Sequence, residues 1–175
     1  MTDPMQVDFS AAQIDAKVSE LAARIEHDRQ GRPIVLLVVL KGAILFAADL
    51  MRRLQGEVLL DFFVVSSYAG DRSPSGEAQV LHAPRTDLAG RHVILGDEIV
   101  DTGVTVTALV EHLKRSGAAS VRVCTLLDKV AARQVPVTLN YVGFVAPSVW
   151  LVGYGMDSDG LGRNLPDIYA VSAPE

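Results

Sequence analysis

Between Pro33 and the pair Lys41-Gly42 the chain reads Ile34-Val35-Leu36-Leu37-Val38-Val39-Leu40, seven apolar residues with no polar interruption. A strand with one wet face alternates apolar and polar residues, whereas a strand covered on both faces does not. The run is too short for a membrane span, which needs ~20 residues, and its β-branched Val and Ile favour a strand over a helix. Further strands are expected at Val93-Ile94-Leu95, Val121 to Leu127 and Tyr141 to Ala146. Val58 to about Tyr68 reads as another, followed by a Gly/Ser/Pro-rich loop from Ala69 to Glu77 and a short extended piece near Val80. Between the strands the apolar spacing turns helical. Ile14, Val18, Leu21 and Ile25 make one stripe on Ser10 to Arg29, where Ser10 and Gln13 have capping-box spacing and Gly31 stands near the stop. Ile44 to Leu54 is a second helix, and Val106 to Arg115, with Val106, Leu109, Val110 and Leu113, a third. Strands alternating with helices predict an α/β fold, a mostly parallel central sheet with helices on both faces. No internal repeat or linker divides residues 1–175, so one domain is expected.

Ligands of such sheets bind outside the carboxyl ends of the strands. That rule brings Lys41-Gly42, Asp97 to Thr105 and Asp128-Lys129 to one edge. The central stretch is Gly96-Asp97-Glu98-Ile99-Val100-Asp101-Thr102-Gly103-Val104-Thr105, read as strand, acidic loop and helix. A helix N-terminus presents unpaired N–H groups and the positive end of its dipole to an anion such as phosphate. Gly103 allows close backbone approach, and Thr102 and Thr105 bring hydroxyl donors. Three carboxylates beside that site repel a phosphate unless they face sugar hydroxyls or a divalent cation. Asp and Thr also serve as plain turn and cap residues, but acids at i, i+1 and i+4 after an apolar strand exceed what a cap requires.

Composition narrows the field. The net charge of −5 argues against a dedicated nucleic-acid binder, and no apolar run is long enough for a membrane helix. Met1-Thr2-Asp3-Pro4 lacks the pattern of a secretory signal. The single cysteine, Cys124, sits in an apolar run and reads as a buried, inert thiol. A cytoplasmic protein is expected.

The ten residues from Gly96 to Thr105 resemble the phosphoribosyl diphosphate signature of type I phosphoribosyltransferases. Five more segments resemble the hypoxanthine (6-oxopurine) branch of that family: Leu40-Lys41-Gly42-Ala43, Asp61-Phe62 leading to Ser66-Ser67-Tyr68, Thr125 to Lys129, Val152 to Asp157, and Arg163-Asn164-Leu165-Pro166. They stand in the family's order and span Leu40 to Pro166. The chain departs from the pattern at Asp97-Glu98, where the family has Glu-Asp.

The resemblance implies a small hood built from the chain ends and a Mg²⁺-dependent purine salvage enzyme. Such an enzyme moves the 5-phosphoribosyl group of phosphoribosyl diphosphate to hypoxanthine or guanine, giving IMP or GMP and pyrophosphate. It implies Asp101 as the catalytic acid–base group at the purine N7; an acid at a strand-to-helix junction is also an ordinary N-cap, which is expected as its secondary role. Asp97 and Glu98 are implied for the ribose hydroxyls and, with Asp157, for the metal. Thr102, Gly103, Val104 and Thr105 would take the 5′-phosphate, and Lys41, Gly42 and Arg163 the pyrophosphate. Lys129 would donate to the purine's C6 oxygen, Trp150 would stack on the ring, and Leu151 would offer backbone groups to its edge. Ser67 and Tyr68 would open a lid over the site. Family members are dimers or tetramers, so a homodimer or homotetramer is implied. Each residue also has an ordinary alternative: Lys129 as a solvated strand end, Trp150 as core, Asp157 as a turn residue, Lys41-Gly42 as a plain turn, the lid as an idle loop. Two other readings stay open. One is a regulatory nucleotide- and RNA-binding protein on the same scaffold; the other is a salvage enzyme that prefers xanthine or another base.

Overall fold

A computed structural model describes residues 6–66 and 79–171. Its six-stranded sheet has the order β4-β3-β2-β5-β6-β7, with β2 Ile34–Leu40, β3 Val58–Ser66, β4 Gln79–His82, β5 His92–Val100, β6 Ser120–Asp128 and β7 Tyr141–Val145. All neighbours are parallel except β4, which pairs antiparallel with β3. Helices α1 (Ala11–Arg29) and α2 (Ile44–Met51) share a core with one face of the sheet, and α3 (Val104–Arg115) with the other.

The uninterrupted apolar run of β2 is accounted for by these two cores. Ile34, Leu36 and Val38 pack into the α1–α2 core, while Val35, Leu37 and Val39 pack into the α3 core. Successive side chains point to opposite faces, so a central strand feeding two cores has no position for a polar residue. In α1, Ser10 caps the first turn in a capping box with Gln13. Helix α2 stops at Met51, three residues short of the expected Leu54, because the N–H groups of Arg53 and Leu54 bond three residues back, to Leu50 and Met51, in tighter turns.

A second, three-stranded sheet, order β1-β9-β8, joins β1 (Gln6–Phe9), β8 (Trp150–Val152) and β9 (Ile168–Val171), all antiparallel. It lies outside the strands expected from sequence, because three- and four-residue strands are too short to show a period. Asp167 ties this sheet to the helical layer, its carboxylate accepting the N–H of Ala11 at 2.6 Å.

Candidate active site

Strand β5 does not end at Leu95, where the apolar run stops, but continues to Val100, so Asp97 and Glu98 are strand residues rather than the loop residues expected from sequence. Partner β6 holds this extension, with Asp97 opposite Thr125, Ile99 opposite Leu127 and Val100 opposite Asp128, after β2 has stopped pairing at Gly96. The acids are therefore fixed by a ladder at the sheet's carboxyl edge. Asp97 is only 7% exposed. Burial, with the charge of Glu98 beside it, holds the Asp97 carboxyl well above the ordinary carboxylate range. Burial also raises Glu98; the hydrogen bond with Asp97 and the nearby Arg163 oppose that, and Asp157 adds to it. A buried acid beside a half-buried one wants a cation or hydroxyl donors.

After Val100 the chain turns through Asp101 and Thr102 to Gly103, the N-cap of α3. Gly103 has φ 85°, and a Cβ there would lie 2.9 Å from the Val135 carbonyl oxygen, so the position requires glycine twice over. Gly103 has no side chain to cap this helix, and it is the Thr102 hydroxyl, not Asp101, that accepts the Val104 N–H, at 3.4 Å, which removes the capping role expected of Asp101. Its carboxylate is half exposed, and Lys129 Nζ stands 3.7 Å away. The first-turn N–H groups of α3 thus begin beside a glycine, as an anion site requires.

Lys129 follows β6, and its N–H donates to the Val100 carbonyl at 3.0 Å, so the lysine's backbone is tied to the strand that carries Asp101. Lys41 follows β2 through a cis Leu40–Lys41 peptide. Gly42 then lies under Glu98: a Cβ on Gly42 would sit 1.8 Å from Glu98 Oε1. A turn at Gly153 to Met156, closed by paired backbone bonds of 3.1 Å, lays Gly155 over Gly42 so that a Gly155 Cβ would be 2.0 Å from the Gly42 carbonyl. Arg163 reaches the same place, donating to the Gly155 carbonyl at 2.6 Å and pairing with Asp157 at 2.5 Å. Trp150 starts β8 with 41% of its surface exposed and donates to the Asp157 carbonyl at 3.3 Å, while Leu151 is buried beside it. Ser67 and Tyr68, with the loop after them, lie outside the described residues.

Gly42, Glu98, Gly155, Asp157 and Arg163 therefore share one neighbourhood, and Asp101 and Lys129 another. Two of the residues that shape these neighbourhoods are not site candidates by sequence. Gly155 is one, although Gly153-Tyr154-Gly155 announces an unusual backbone. Arg133 is the other; it pairs with Asp128 behind the Asp101 turn, and nothing in the local sequence marks that arginine. Among the described residues no three Asp, Glu, His or Cys side chains are gathered into a metal cage. A Mg²⁺ held by one or two carboxylates, waters and substrate phosphates needs none.

An acid-lined strand end, a glycine turn and a helix N-terminus thus stand beside an acid–lysine pair, an arrangement chemically suited to a phosphorylated sugar and a second, hydrogen-bonding ligand. Residues 10–159 match the phosphoribosyl transferase domain family. The chain is 38% identical to the hypoxanthine-guanine phosphoribosyltransferase of Streptococcus thermophilus over 164 residues, 94% of this chain and 91% of the relative. It is likewise 38% identical to that of Aquifex aeolicus over 159 residues, 90% and 89% of the two chains. A hypoxanthine-guanine phosphoribosyltransferase of Bacillus anthracis superposes with a TM-score of 0.90 at 38% identity, covering 98% of this chain and 99% of the other. The chain belongs to the phosphoribosyl transferase family, in its hypoxanthine-guanine branch.

Proposed function

We propose that this protein transfers the 5-phosphoribosyl group of phosphoribosyl diphosphate to N9 of hypoxanthine or guanine, releasing pyrophosphate and forming IMP or GMP in purine salvage. The observation that carries the reading is the 3.7 Å approach of Lys129 Nζ to Asp101 beside the Gly103 turn. That pairing sets a donor for a purine oxygen and an acid–base group next to the phosphate site, at the spacing of two polar positions on one flat base.

In this mechanism the N–H groups at the start of α3, with the hydroxyls of Thr102 and Thr105, bind the 5′-phosphate. Asp97 and Glu98 accept hydrogen bonds from the ribose hydroxyls, and burial keeps Asp97 from turning to solvent. Lys41, Gly42 and Arg163 bind the pyrophosphate, where negative charge grows as the anomeric C–O bond breaks. N9 attacks the anomeric carbon while the proton on N7 passes to the Asp101 carboxylate, a contribution on the order of 10²–10⁴-fold. Lys129 donates to the C6 oxygen and Trp150 stacks on the ring; an amino group at C6 would leave the ammonium unpaired, which costs about 1–3 kcal/mol and disfavours adenine. The carboxylates of Asp97, Glu98 and Asp157 are hard oxygen donors suited to Mg²⁺, which when bound neutralises pyrophosphate charge.

The net charge of −5 and the purine-directed pair favour the enzyme over an RNA-binding regulator. Among the described residues no helix is long and apolar enough to cross a membrane, and we place the protein in the cytoplasm, acting as a single domain in a homodimer or homotetramer. The Trypanosoma cruzi hypoxanthine phosphoribosyl transferase, described for the role of its C-terminal region on oligomeric state and enzymatic activity, is 35% identical to this chain, with a TM-score of 0.89 over 95% of this chain and 90% of the other. Steady-state kinetics with a panel of purine and pyrimidine bases, with and without a chelator, tests the proposal. Turnover confined to 6-oxopurines and abolished by chelation is expected. Preference for adenine, or chelator-resistant turnover, would overturn the base or the metal assignment respectively.

A further inference from the structure

We infer that Arg133 is a positioning residue that ties the loop carrying Lys129 to the loop carrying Asp101 to Thr105, so that the base site and the phosphate site keep one spacing. The inference rests on the proposed function for the roles of those two loops.

The contacts of Arg133 converge on the parts that separate the two sites. Its guanidinium pairs with the Asp128 carboxylate at the end of β6, next to Lys129. The same Nη2 lies 3.5 Å from the Val100 carbonyl at the end of β5, next to Asp101. Its Cδ packs against Gly103, where an added Cβ would be 3.0 Å away. The residues that follow continue the strap: the N–H groups of Gln134 and Val135 both donate to the Thr102 carbonyl, at 2.9 and 3.2 Å. A single 3₁₀ turn, Val130–Ala132, separates Lys129 from this anchor, so the lysine cannot shift without pulling on it. Both Asp128 and Arg133 are largely buried, at 15% and 18% side-chain exposure. A buried pair of this kind is weak as a source of stability but strong as a constraint on register. Both partners of the guanidinium are met by the one Nη2, while Nε is buried without a partner among the described residues, so it is the rigid placement of the planar guanidinium fork that counts, which a lysine's flexible ammonium reproduces only in part.

A role confined to stability lowers the melting temperature and leaves both Michaelis constants alone. A tie between the two loops makes both constants depend on Arg133. Arg133→Met keeps most of the side chain's bulk and removes the fork. In that variant KM for phosphoribosyl diphosphate and KM for hypoxanthine should both rise by about tenfold, below the roughly hundredfold that a full ångström of misplacement can cost. Arg133→Lys should recover part of both. Adding Lys129→Ala to Arg133→Met should raise the base KM much less than Lys129→Ala does alone, because the lysine is already misplaced. If Arg133→Met does not fold, Asp128→Asn, which leaves the guanidinium packed, must show the same paired rise. Unshifted constants in a folded variant, or a rise in only one, would overturn the tie while the function stands. Absence of transfer by the unmodified protein would overturn the function and the tie with it.

Discussion

The carboxylate of Glu98 lies directly on the α-carbon of Gly42: a methyl group built there would come within 1.8 Å of Oε1. No rotation of a methyl relieves an overlap of that size, so one of the two must move. Gly42→Ala should displace the Glu98 carboxylate and raise KM for phosphoribosyl diphosphate by an order of magnitude or more. Glu98→Ala should do likewise, and the double variant should be no worse than Glu98→Ala alone, because residues in contact are not additive. Independent, multiplying effects would show that Gly42 is required for another reason.

Asp101 is half exposed and caps nothing, so its replacement should cost little stability. Asp101→Asn should lower kcat by roughly 10- to 10³-fold with phosphoribosyl diphosphate binding little changed. Near-normal kcat would leave its carboxylate as no more than the neighbour of Lys129.

Lys129 and Trp150 should separate selectivity from affinity. Lys129→Ala should narrow the gap between 6-oxopurines and adenine, because a directed donor is lost. Trp150→Ala should raise KM for every purine by a similar factor, equivalent to about 1–3 kcal/mol if it stacks as aromatics do on bases elsewhere. A Trp150→Ala effect confined to stability would assign the tryptophan to packing.

Asp61 gives a pH prediction away from the chemistry. Burial alone would raise its carboxyl, but the backbone and hydroxyl of Thr86 and the N–H groups of Phe62 and Arg85 outweigh that and hold it below the ordinary range. A carboxyl lowered in the folded state adds stability above the unfolded-state value, and that stability is lost as pH falls through the folded one. Asp61→Asn should lower the melting temperature at neutral pH, with the deficit closing in acid. A deficit that does not change with pH would mean that shape rather than charge holds the 85–86 turn.

Cys124 is buried and its thiol is pushed up to about 12 by that burial. The folded protein should resist alkylation at mildly alkaline pH and expose one reactive thiol on unfolding. Labelling of the native protein at the rate of a free thiol would contradict the packing of β6.

Much of this molecule is legible in its amino-acid sequence because its periods are strong. The run of β2 announces two covered faces, and Ser10 with Gln13 announces the start of α1. The strands β1, β8 and β9 are not legible, since their pairing depends on partners distant in sequence and too few residues lie in each. Asp97 and Glu98 read as loop residues because acids in an apolar strand break its pattern; only the ladder to β6 shows them to be strand residues. The glycine at position 103 is legible as the turn residue before α3, whereas Gly42 beneath Glu98 and Arg133 behind Gly103 are relations between segments that no local pattern records.

The most direct measurement is product stoichiometry. Phosphoribosyl diphosphate, hypoxanthine and Mg²⁺ are incubated with the protein, and IMP and pyrophosphate are quantified together over time. Equal amounts of the two, formed at the rate hypoxanthine is consumed, are expected. Pyrophosphate without IMP would mean that water, not a purine, attacks the sugar; no reaction with hypoxanthine or guanine would contradict the account at its centre.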